Sequence, residues 1–398
     1  MIPATHSHSQ STENGVRPMV RFGIGLVTGL VLAATFGPMP TATAAPDGFL
    51  ATLHHHSLLA STVPDNGDLN PYAIVVAPVS AGKIKKGDVL VDNFNDRANF
   101  QGTGSTILDY NPATRQMTQF AALPHKITDC PGGVGMTAAM AMLKSGWVIV
   151  GSTPSPDGTT KTRGAGCLIV INADGKLVGT ITGATINGPW GNIAVIDNGK
   201  TATLFISMLG DLPGPDVVDK ATGKPIISYK ANVLRIDLSM KDGNPPAVTN
   251  ETVIASGIGA RADKDADEVG PTGVALSPDG KTLYVADAVG NRVVAIPDPS
   301  TRNSSAGTGR TIAKDGLLKR ALTLIVAPNG HLLVCNALNG EVVEIDPVTG
   351  KQIAAQWLDT DQAQSPPGNG DLFGIAMMPS GSGFYYVEDD VNTLMEAK

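Results

Sequence analysis

Two short segments of the chain concentrate oxygen-bearing side chains that could bind a hard cation. The segment DNFND contains Asp92, Asn95 and Asp96, and the segment EDD contains Glu388 and Asp390. Carboxylate and amide oxygens are the ligands that Ca²⁺ prefers in proteins. Neither segment has the twelve-residue spacing of an EF-hand loop, so both can also be explained as solvated acidic loops. No cofactor is required by the sequence, and Ca²⁺ is the one it allows.

The histidines offer little acid–base chemistry. His125, in LPHKITDC, is a candidate general base, whereas His331 lies in the tight turn APNGH. A lone histidine can equally be structural or simply exposed. The chain has no Gly-x-Ser-x-Gly sequence, the signature of a nucleophile elbow. Catalysis by a serine nucleophile of that kind is therefore not indicated.

The chain has three cysteines, so at least one has no partner within it. Cys130 and Cys167 flank a long predicted loop, and a disulfide between them would pin that loop. The sequence leaves this pairing open. Cys335 follows an apolar strand and is expected to be a buried free thiol.

Composition indicates a turn-rich globular chain. It combines 46 glycines and 28 prolines with 42% hydrophobic and only 16% charged residues. Disordered chains have the opposite balance. The net charge of −7 argues against a nucleic-acid partner, which would need a basic face to neutralise phosphates.

The first 44 residues resemble a secretory signal peptide. Arg17 and Arg21 precede a short apolar run, residues 22–36, and small residues at Ala42 and Ala44 follow it. A basic segment, a short apolar segment and an A-x-A site are typical of such signals. We expect cleavage after Ala44 and an exported, periplasmic or extracellular protein without membrane attachment. An uncleaved membrane anchor is the alternative.

The rest of the chain contains an internal repeat. GPTGVALSPDGKTLYVADAVGNRVVAI, residues 270–296, reads as an apolar strand, a tight turn, a second strand, a polar residue and a third strand. Related copies begin near residues 71, 136, 190, 322 and 373. Six copies of a four-stranded antiparallel unit predict an all-β fold, the six-bladed β-propeller.

The last copy ends after three strands, at Lys398. We expect an N-terminal strand within residues 49–61 to supply the fourth and so close the ring, which removes an exposed sheet edge. The predicted organisation is a signal peptide at 1–44, an N-terminal segment at 45–69 and a propeller at 70–398. The chain is expected to be a monomer.

Long insertions gather on one face of the predicted propeller. They lie between second and third strands and between successive blades, and in repeat proteins such insertions often mark the binding face. Neutral variation of solvated loops is the alternative. Two sets of candidate ligand-binding residues approach this long-loop face. Polar residues after second strands are Asn93, Asp287, Asn336 and Asp389, and residues at the starts of innermost strands are Tyr72, Trp190, Thr272 and Phe373.

Each set has a structural explanation as well as a functional one. Asp and Asn after a strand often bond to the backbone of the following turn. Three of the four inner-strand residues are aromatic, which suits a small-molecule or glycan pocket at the channel mouth. They could also serve packing between blades.

The phrase SPDGKTLYVADAVGNRVVAI resembles NHL-repeat propellers and gluconolactonase-like propellers of the exported bacterial kind. The latter resemblance implies a divalent cation at the channel mouth, held by a first-blade acid, the Asn of a Pro-Asn-Gly motif and a late-blade Asp. The matching positions here are Tyr72, Thr272 and Phe373, with Asp371 two residues away. Most of the implied ligands are therefore missing.

These observations favour a non-enzymatic exported propeller that binds a small molecule, a glycan or a protein partner through its long-loop face. The alternative is a metal-assisted, Ca²⁺-type hydrolase or lyase of the lactonase-like kind. Its site would lie at the mouth of the central channel.

Overall fold

The computed structural model describes residues 48–398, apart from residues 215, 242, 264, 265, 267, 360 and 371. The predicted signal peptide lies outside the described residues. The described part contains β-strands and one 3-10 helix, Phe49–Thr52, and no α-helix. It includes no helix that is long and apolar enough to cross a membrane.

The strands form six antiparallel sheets, which are the blades of the predicted six-bladed propeller. Blade 1 consists of β2 (Leu69–Val76), β3 (Val89–Asn95), β4 (Thr106–Asn111) and β5 (Gln116–Ala122). Blade 2 consists of β6 (Met136–Met142), β7 (Val148–Ser152), β8 (Cys167–Ile171) and β9 (Leu177–Ile181). Blade 3 consists of β10 (Ala194–Asp197), β11 (Thr201–Met208), β12 (Ser228–Ser239) and β13 (Ala247–Ala262), with the short strand β14 (Glu268–Val269) added at its edge.

Blades 4 to 6 follow the same order from the channel outward. Blade 4 consists of β15 (Pro271–Leu276), β16 (Thr282–Asp287), β17 (Arg292–Pro297) and β18 (Arg310–Lys314). Blade 5 consists of β19 (Ala321–Val326), β20 (Leu332–Asn336), β21 (Glu341–Ile345) and β22 (Gln352–Trp357). Blade 6 consists of β23 (Leu372–Met377), β24 (Phe384–Glu388) and β25 (Thr393–Ala397), with β1 (His56–Ser61) as its outer strand. The fold class predicted from the repeat is confirmed.

Glycines set the turns between the first two strands of the regular blades. Gly280, Gly330 and Gly381 have φ of 69°, 83° and 71°. Residues with a Cβ rarely adopt this left-handed backbone, so glycine permits the short turn. The recurrence of these glycines in the sequence therefore reports a backbone requirement.

The N-terminal strand closes the ring, as expected. β1 pairs antiparallel with β25, from His56 opposite Ala397 to Ser61 opposite Thr393. The innermost strands β23 and β2 also contact each other, which joins the last blade to the first. The free edge of the last sheet is thus covered.

Blade 3 departs from the predicted strand and loop lengths. β12 begins at Ser228 and β13 runs to Ala262, although the polar residues and glycines at both places predict loops. The two strands pair over almost their whole length, from Ser228 opposite Ala260 to Ser239 opposite Ala247. Backbone pairing extends the hairpin where side-chain patterning alone predicts a loop.

The core is divided among the spaces between blades. Each space is filled by aliphatic side chains from facing sheets, for example Val148, Val150 and Ile169 with Leu90 and Ile107. The cluster between blades 3 and 4 continues to the central axis, where it includes Tyr72, Trp190 and Phe373. The blades therefore stabilise one another, and the axis is the place where all of them meet.

Candidate functional site

Aromatic side chains fill the central channel. Tyr72 contacts the rings of Phe94, Trp190 and Phe373 at centroid separations of 5.0, 5.7 and 4.3 Å. The Phe94 and Trp190 rings lie 5.5 Å apart, edge to face. We call these four residues the aromatic plug.

The plug favours packing between blades as the explanation of the aromatic residues at the starts of the innermost strands. Tyr72, Trp190 and Phe373 are only 2%, 1% and 5% exposed, because they pack against one another across the channel. Packing between blades, the alternative explanation of these positions, accounts for Trp190, which does not line the cavity described below. Tyr72 and Phe373 have a second role, since they also form the floor of a cavity.

That cavity, the mouth cavity, lies above the plug on the long-loop face and has a volume of about 340 Å³. Blades 1, 3, 5 and 6 contribute to it through strand starts and the connections between blades. Its polar and aromatic lining residues are Tyr72, Glu268, Arg320, Asn369, Phe373 and Asp389. An apolar floor with a few polar groups above it is the usual form of a small-molecule site.

A buried ion pair forms one wall of the mouth cavity. Arg163 Nε lies 3.1 Å from Glu268 Oε2, and the side chains are 6% and 0% exposed. The same guanidinium donates to the carbonyl of Gly210 and contacts the amide of Asn187. Arg163 therefore joins the long loop of blade 2 to the two connections beside blade 3. Pairing is what allows a carboxylate at Glu268 to be fully buried.

A second charged group surrounds Arg320. Arg320 Nη2 lies 3.3 Å from Asp263 Oδ2, which also pairs with Arg261 Nη1 at 2.8 Å. The backbone of Arg320 is held by the side chain of Asn291, which accepts its N–H at 2.7 Å. The Arg320 side chain is 18% exposed, so it is positioned by protein contacts and still reaches the cavity.

Three of the polar residues that follow second strands have structural roles. Asp287 accepts the N–H of Gly290 at 2.9 Å and pairs with Arg292 Nε at 2.8 Å. Asn336 accepts the N–H of Lys319 and donates to the carbonyl of Leu317. The contacts of Asp287 hold the turn between β16 and β17, and those of Asn336 hold the connection between blades 4 and 5, as the structural explanation of these positions expects.

Asn93 is also structural, since its side chain is 0% exposed and donates to the carbonyl of Thr62, just beyond the closing strand. Asp389 differs from the other three. It is partly exposed and lines the mouth cavity with Tyr72 and Phe373. Of the eight predicted ligand-binding residues, the structure brings these three together.

Thr272 contributes to the backbone and not to the channel. Its side chain is 0% exposed and its hydroxyl donates to the carbonyl of Gly270 at 3.1 Å. Its own carbonyl accepts a hydrogen bond from Ser207 Oγ at 2.6 Å. A gluconolactonase-like propeller would offer a metal ligand at this position. Here the position holds Thr272, whose buried hydroxyl is already bonded to the backbone.

The remaining metal candidates are dispersed. Asp92 is fully buried and Asn95 nearly so, whereas Asp96 accepts the N–H groups of Ala98 and Phe100 in its own turn. Among the described residues, which do not include Asp371, no group of three or more His, Cys, Asp or Glu side chains is placed to hold a metal ion. The described donor set therefore does not fit the Ca²⁺ site that the resemblance implies.

Glu388 and Asp390, the other two metal candidates, flank Asp389 in the sequence but line a different cavity, on the outer side of blade 6. Glu388 ends strand β24, and Asp389 and Asp390 lie in the turn that follows it. The EDD segment is therefore divided between two cavities.

His125 lies on the long-loop face but outside the mouth cavity. It is exposed and lines a separate cavity of about 320 Å³ between blades 1 and 2, together with Asp96 and Lys126. The charged residues around Arg320 lie beside blades 4 and 5, away from this cavity. The structure thus separates the candidate base from the cavity with the aromatic floor.

Cys130 and Cys167 are joined by a disulfide bond, the pairing that the sequence left open. It closes a loop with a sequence separation of 37 residues. Cys167 begins β8 directly after the loop that carries Arg163. The disulfide therefore fixes one end of the loop whose Arg163 side chain pairs with Glu268. Cys335 is a buried free thiol.

Sequence reasoning missed Arg163, Glu268, Arg320 and Asn369. Arg163, Glu268 and Asn369 lie in the long insertions of the predicted binding face, whereas Arg320 lies in the short connection between β18 and β19. Charged residues are common in solvated loops. The available signal was the length of the insertions. Which of their charges turn inward depends on contacts between blades.

These features define a six-bladed β-propeller with a plugged channel and a charged mouth cavity. Comparison with protein-family models gives no match, and neither does comparison with curated protein sequences.

Solved structures match over most of the chain. A luciferin-regenerating enzyme is similar with a TM-score of 0.54 and 11% identity, covering 86% of this chain and 95% of that one. A gluconolactonase from Xanthomonas campestris has a TM-score of 0.51 and 13% identity, covering 86% and 88%. A putative oxidoreductase (glucose dehydrogenase) from Thermus thermophilus has 0.51 and 12%, covering 87% and 100%. At these identities the likeness shows the fold, and it agrees with the predicted resemblance to gluconolactonase-like propellers.

Proposed function

We propose that the protein is a hydrolase or lyase of the lactonase-like kind, acting on a small polar molecule in the mouth cavity. The observation that carries the proposal is a partly exposed carboxylate, Asp389, and a positioned guanidinium, Arg320, in one cavity above an aromatic floor. Enzymes are named among the structures that share the fold, which also supports catalysis over the passive binding that the sequence favoured.

The cavity residues suggest how a cyclic ester would be opened. Asp389 would take a proton from a water molecule whose oxygen adds to the ester carbonyl carbon. Arg320 would stabilise the negative charge that forms on the carbonyl oxygen. The ring C–O bond would then break, and the proton held by Asp389 would pass to the departing oxygen. Tyr72 and Phe373 would support the ring from below.

Glu268 has a positioning role in this scheme. Its carboxylate is fully buried and paired with Arg163, so its charge is balanced within the protein and not by the ligand. It fixes the blade 3 to blade 4 connection against the long loop of blade 2. The residues around the cavity mouth are thereby held in place before a ligand arrives.

The test is hydrolysis of D-glucono-1,5-lactone, followed by acid release, with and without EDTA. We expect turnover that EDTA does not remove, and a loss of about 10²-fold in kcat for Asp389→Asn, the size of a general-base contribution. Asp279→Asn, which changes a carboxylate in an exposed turn of blade 4, is the matched control and should keep full activity. Failure of a panel of lactones to turn over would overturn the proposal.

Binding without turnover is the second candidate function. The observation in its favour is that no histidine lines the mouth cavity in the described part of the chain, which limits proton transfer to one carboxylate. Saturable binding of a sugar lactone or sugar acid that Asp389→Asn and Arg320→Gln weaken, with no product formed, would support it.

We also propose that the protein is exported. The leader sequence supports this, and so does the Cys130–Cys167 disulfide, since such bonds persist mainly in oxidising compartments. Mass spectrometry of the protein recovered outside the cytoplasm should give a mature N-terminus at Ala45. Recovery of the full-length chain in the cytoplasm would contradict export.

A further inference from the structure

A second cavity, which we call the acidic side cavity, lies between the outer parts of blades 5 and 6. It has a volume of about 730 Å³ and opens to solvent. Its lining residues include His56, Trp357, Asp359, Asp361, Tyr386 and Asp390. It shares no lining residue with the mouth cavity, so a ligand bound there is independent of the proposed function.

Four carboxylates line the acidic side cavity, those of Asp359, Asp361, Glu388 and Asp390, and no lysine or arginine in the described part does so. Repulsion from Asp359 and Asp361 adds to burial in raising the pKa of Asp390. The remaining titratable groups are His56 and Tyr386. Burial lowers the pKa of His56 and raises that of Tyr386, so both are neutral at pH 7. The cavity therefore carries net negative charge.

Asp359 is the deepest of these carboxylates, with 7% of its surface exposed. Its Oδ1 accepts the N–H of Asp361 at 2.8 Å, while its Oδ2 accepts no hydrogen bond from any residue that the structure describes. A buried carboxylate oxygen without a donor is costly. A cation bound in the cavity would offset this cost through its charge, without contacting the buried oxygen itself.

Aromatic and aliphatic groups form the rest of the wall. The Trp357 side chain is 40% exposed at the end of β22, and Val391 is 57% exposed on the facing loop. The ring of Tyr386 is fixed from the other side, because its hydroxyl lies 3.1 Å from His56 Nδ1. An indole ring beside carboxylates attracts a cation to its face.

The spacing of the carboxylates favours an organic cation over a metal ion. No three acidic or histidine side chains in the described residues converge closely enough to hold a metal. A large, weakly hydrated cation does not need convergent ligands, since it is stabilised by distributed negative charge and aromatic faces. The volume of the cavity also exceeds what a single metal ion requires.

We propose that the acidic side cavity binds a small organic ammonium ion, with Asp359 as the principal counter-charge and Trp357 as the aromatic contact.

Calorimetric titration with choline, and with its uncharged isostere 3,3-dimethylbutan-1-ol, tests the proposal on the full mature chain. We expect saturable choline binding and at least about tenfold weaker binding of the isostere. Asp359→Asn should weaken choline binding about tenfold, and Trp357→Leu roughly threefold to tenfold. Asp279→Asn removes one carboxylate elsewhere on the surface and should change nothing.

Equal affinity for choline and the isostere would overturn the proposal, as would choline binding that both variants leave intact. Competition by millimolar Ca²⁺ at the same site, lost in Asp359→Asn, would replace it with a metal site. If Asp359→Asn does not fold, the isostere comparison and Trp357→Leu still decide the outcome, because Trp357 lies at the exposed edge of the cavity.

Discussion

At the scale of single residues, one repeat position serves several purposes in this propeller. Asn336 bonds to the backbone of the connection beside it, and Asp287 pairs with an arginine on the next strand. Asp389, at the equivalent position of blade 6, remains partly exposed and lines the mouth cavity. From the repeat alone, the Asp or Asn at this position could be predicted to lie on the long-loop face. Its role depends on neighbours that the repeat does not specify.

Asp92 shows what burial does to a carboxyl group in a blade. It is fully buried, and desolvation raises its pKa to about 8, although a hydrogen bond from the Ala73 N–H opposes the shift. Asp92 is thus protonated at neutral pH. Strand β3 is buried over its whole length, so the Asp92 carboxyl is not open to a Ca²⁺ ion from solvent.

This raised pKa predicts a pH dependence of stability. The folded state keeps the Asp92 proton up to about pH 8, whereas the unfolded chain releases it above its ordinary pKa of 3.8. Folding therefore loses stability as pH rises between these values, by roughly 1.4 kcal/mol per pH unit. Asp92→Asn should remove the Asp92 contribution and leave that of Asp109, whose pKa burial also raises, to about 7. Urea denaturation of both proteins between pH 5 and pH 8 measures it.

Asp219→Asn is the control for the change in charge. Hydrogen bonds from the backbone and side chain of Thr222 and from the N–H of Ala221 hold the pKa of the exposed Asp219 below its usual value. It is ionised in both states over this range and contributes no slope. A wild-type slope that persists unchanged in Asp92→Asn would show that Asp92 is not the titrating group.

At the scale of strands and loops, local patterns predicted most of the elements. Short β-branched runs and turn glycines located the strands of blades 4, 5 and 6, because these turns require glycine backbone conformations. The same patterns failed in blade 3, where β12 and β13 continue through segments rich in polar residues. The pairing of two long strands compensates there for weak side-chain propensity.

The candidate site was harder to predict than the elements. The sequence placed Tyr72, Trp190 and Phe373 near the channel, but it could not show that their rings meet and seal it. Ring packing depends on how six separate strands converge on one axis. The guanidinium of Arg163 reaches Glu268 across a whole blade, a contact between residues more than a hundred positions apart. Long-range pairings of this kind leave no local signal.

At the scale of the whole molecule, the N-terminal segment fastens the ring at two places. β1 completes blade 6, and the 3-10 helix before it is held against blade 5 by Glu344. The Glu344 carboxylate accepts the N–H groups of Phe49 and Leu50 at 2.8 and 2.9 Å. A Cβ at Gly48 would lie 2.4 Å from Glu344 Oε2, so this approach requires glycine.

The carboxylate is also contacted by the side chains of Asn329 and His331, at 2.9 and 2.6 Å. Burial opposes ionisation of Glu344, but its hydrogen bonds from Leu50, Phe49, Asn329 and His331 outweigh that effect and lower its pKa. His331, which the sequence places away from any catalytic role, therefore belongs to the contact that closes the ring.

Glu344→Gln should open this contact and destabilise the propeller by roughly 2–4 kcal/mol at pH 7, because buried backbone donors lose a charged acceptor. Since the pKa of Glu344 is lowered on folding, its contribution is fully present above the unfolded value of 4.5 and is lost as pH falls through the folded pKa. The difference between wild type and variant in urea denaturation should shrink accordingly below pH 4.5.

Glu341→Gln, on the same strand but bonded to Asn339, is the control and should cost little at either pH. Equal losses for the two variants would mean that the closing segment does not depend on this carboxylate.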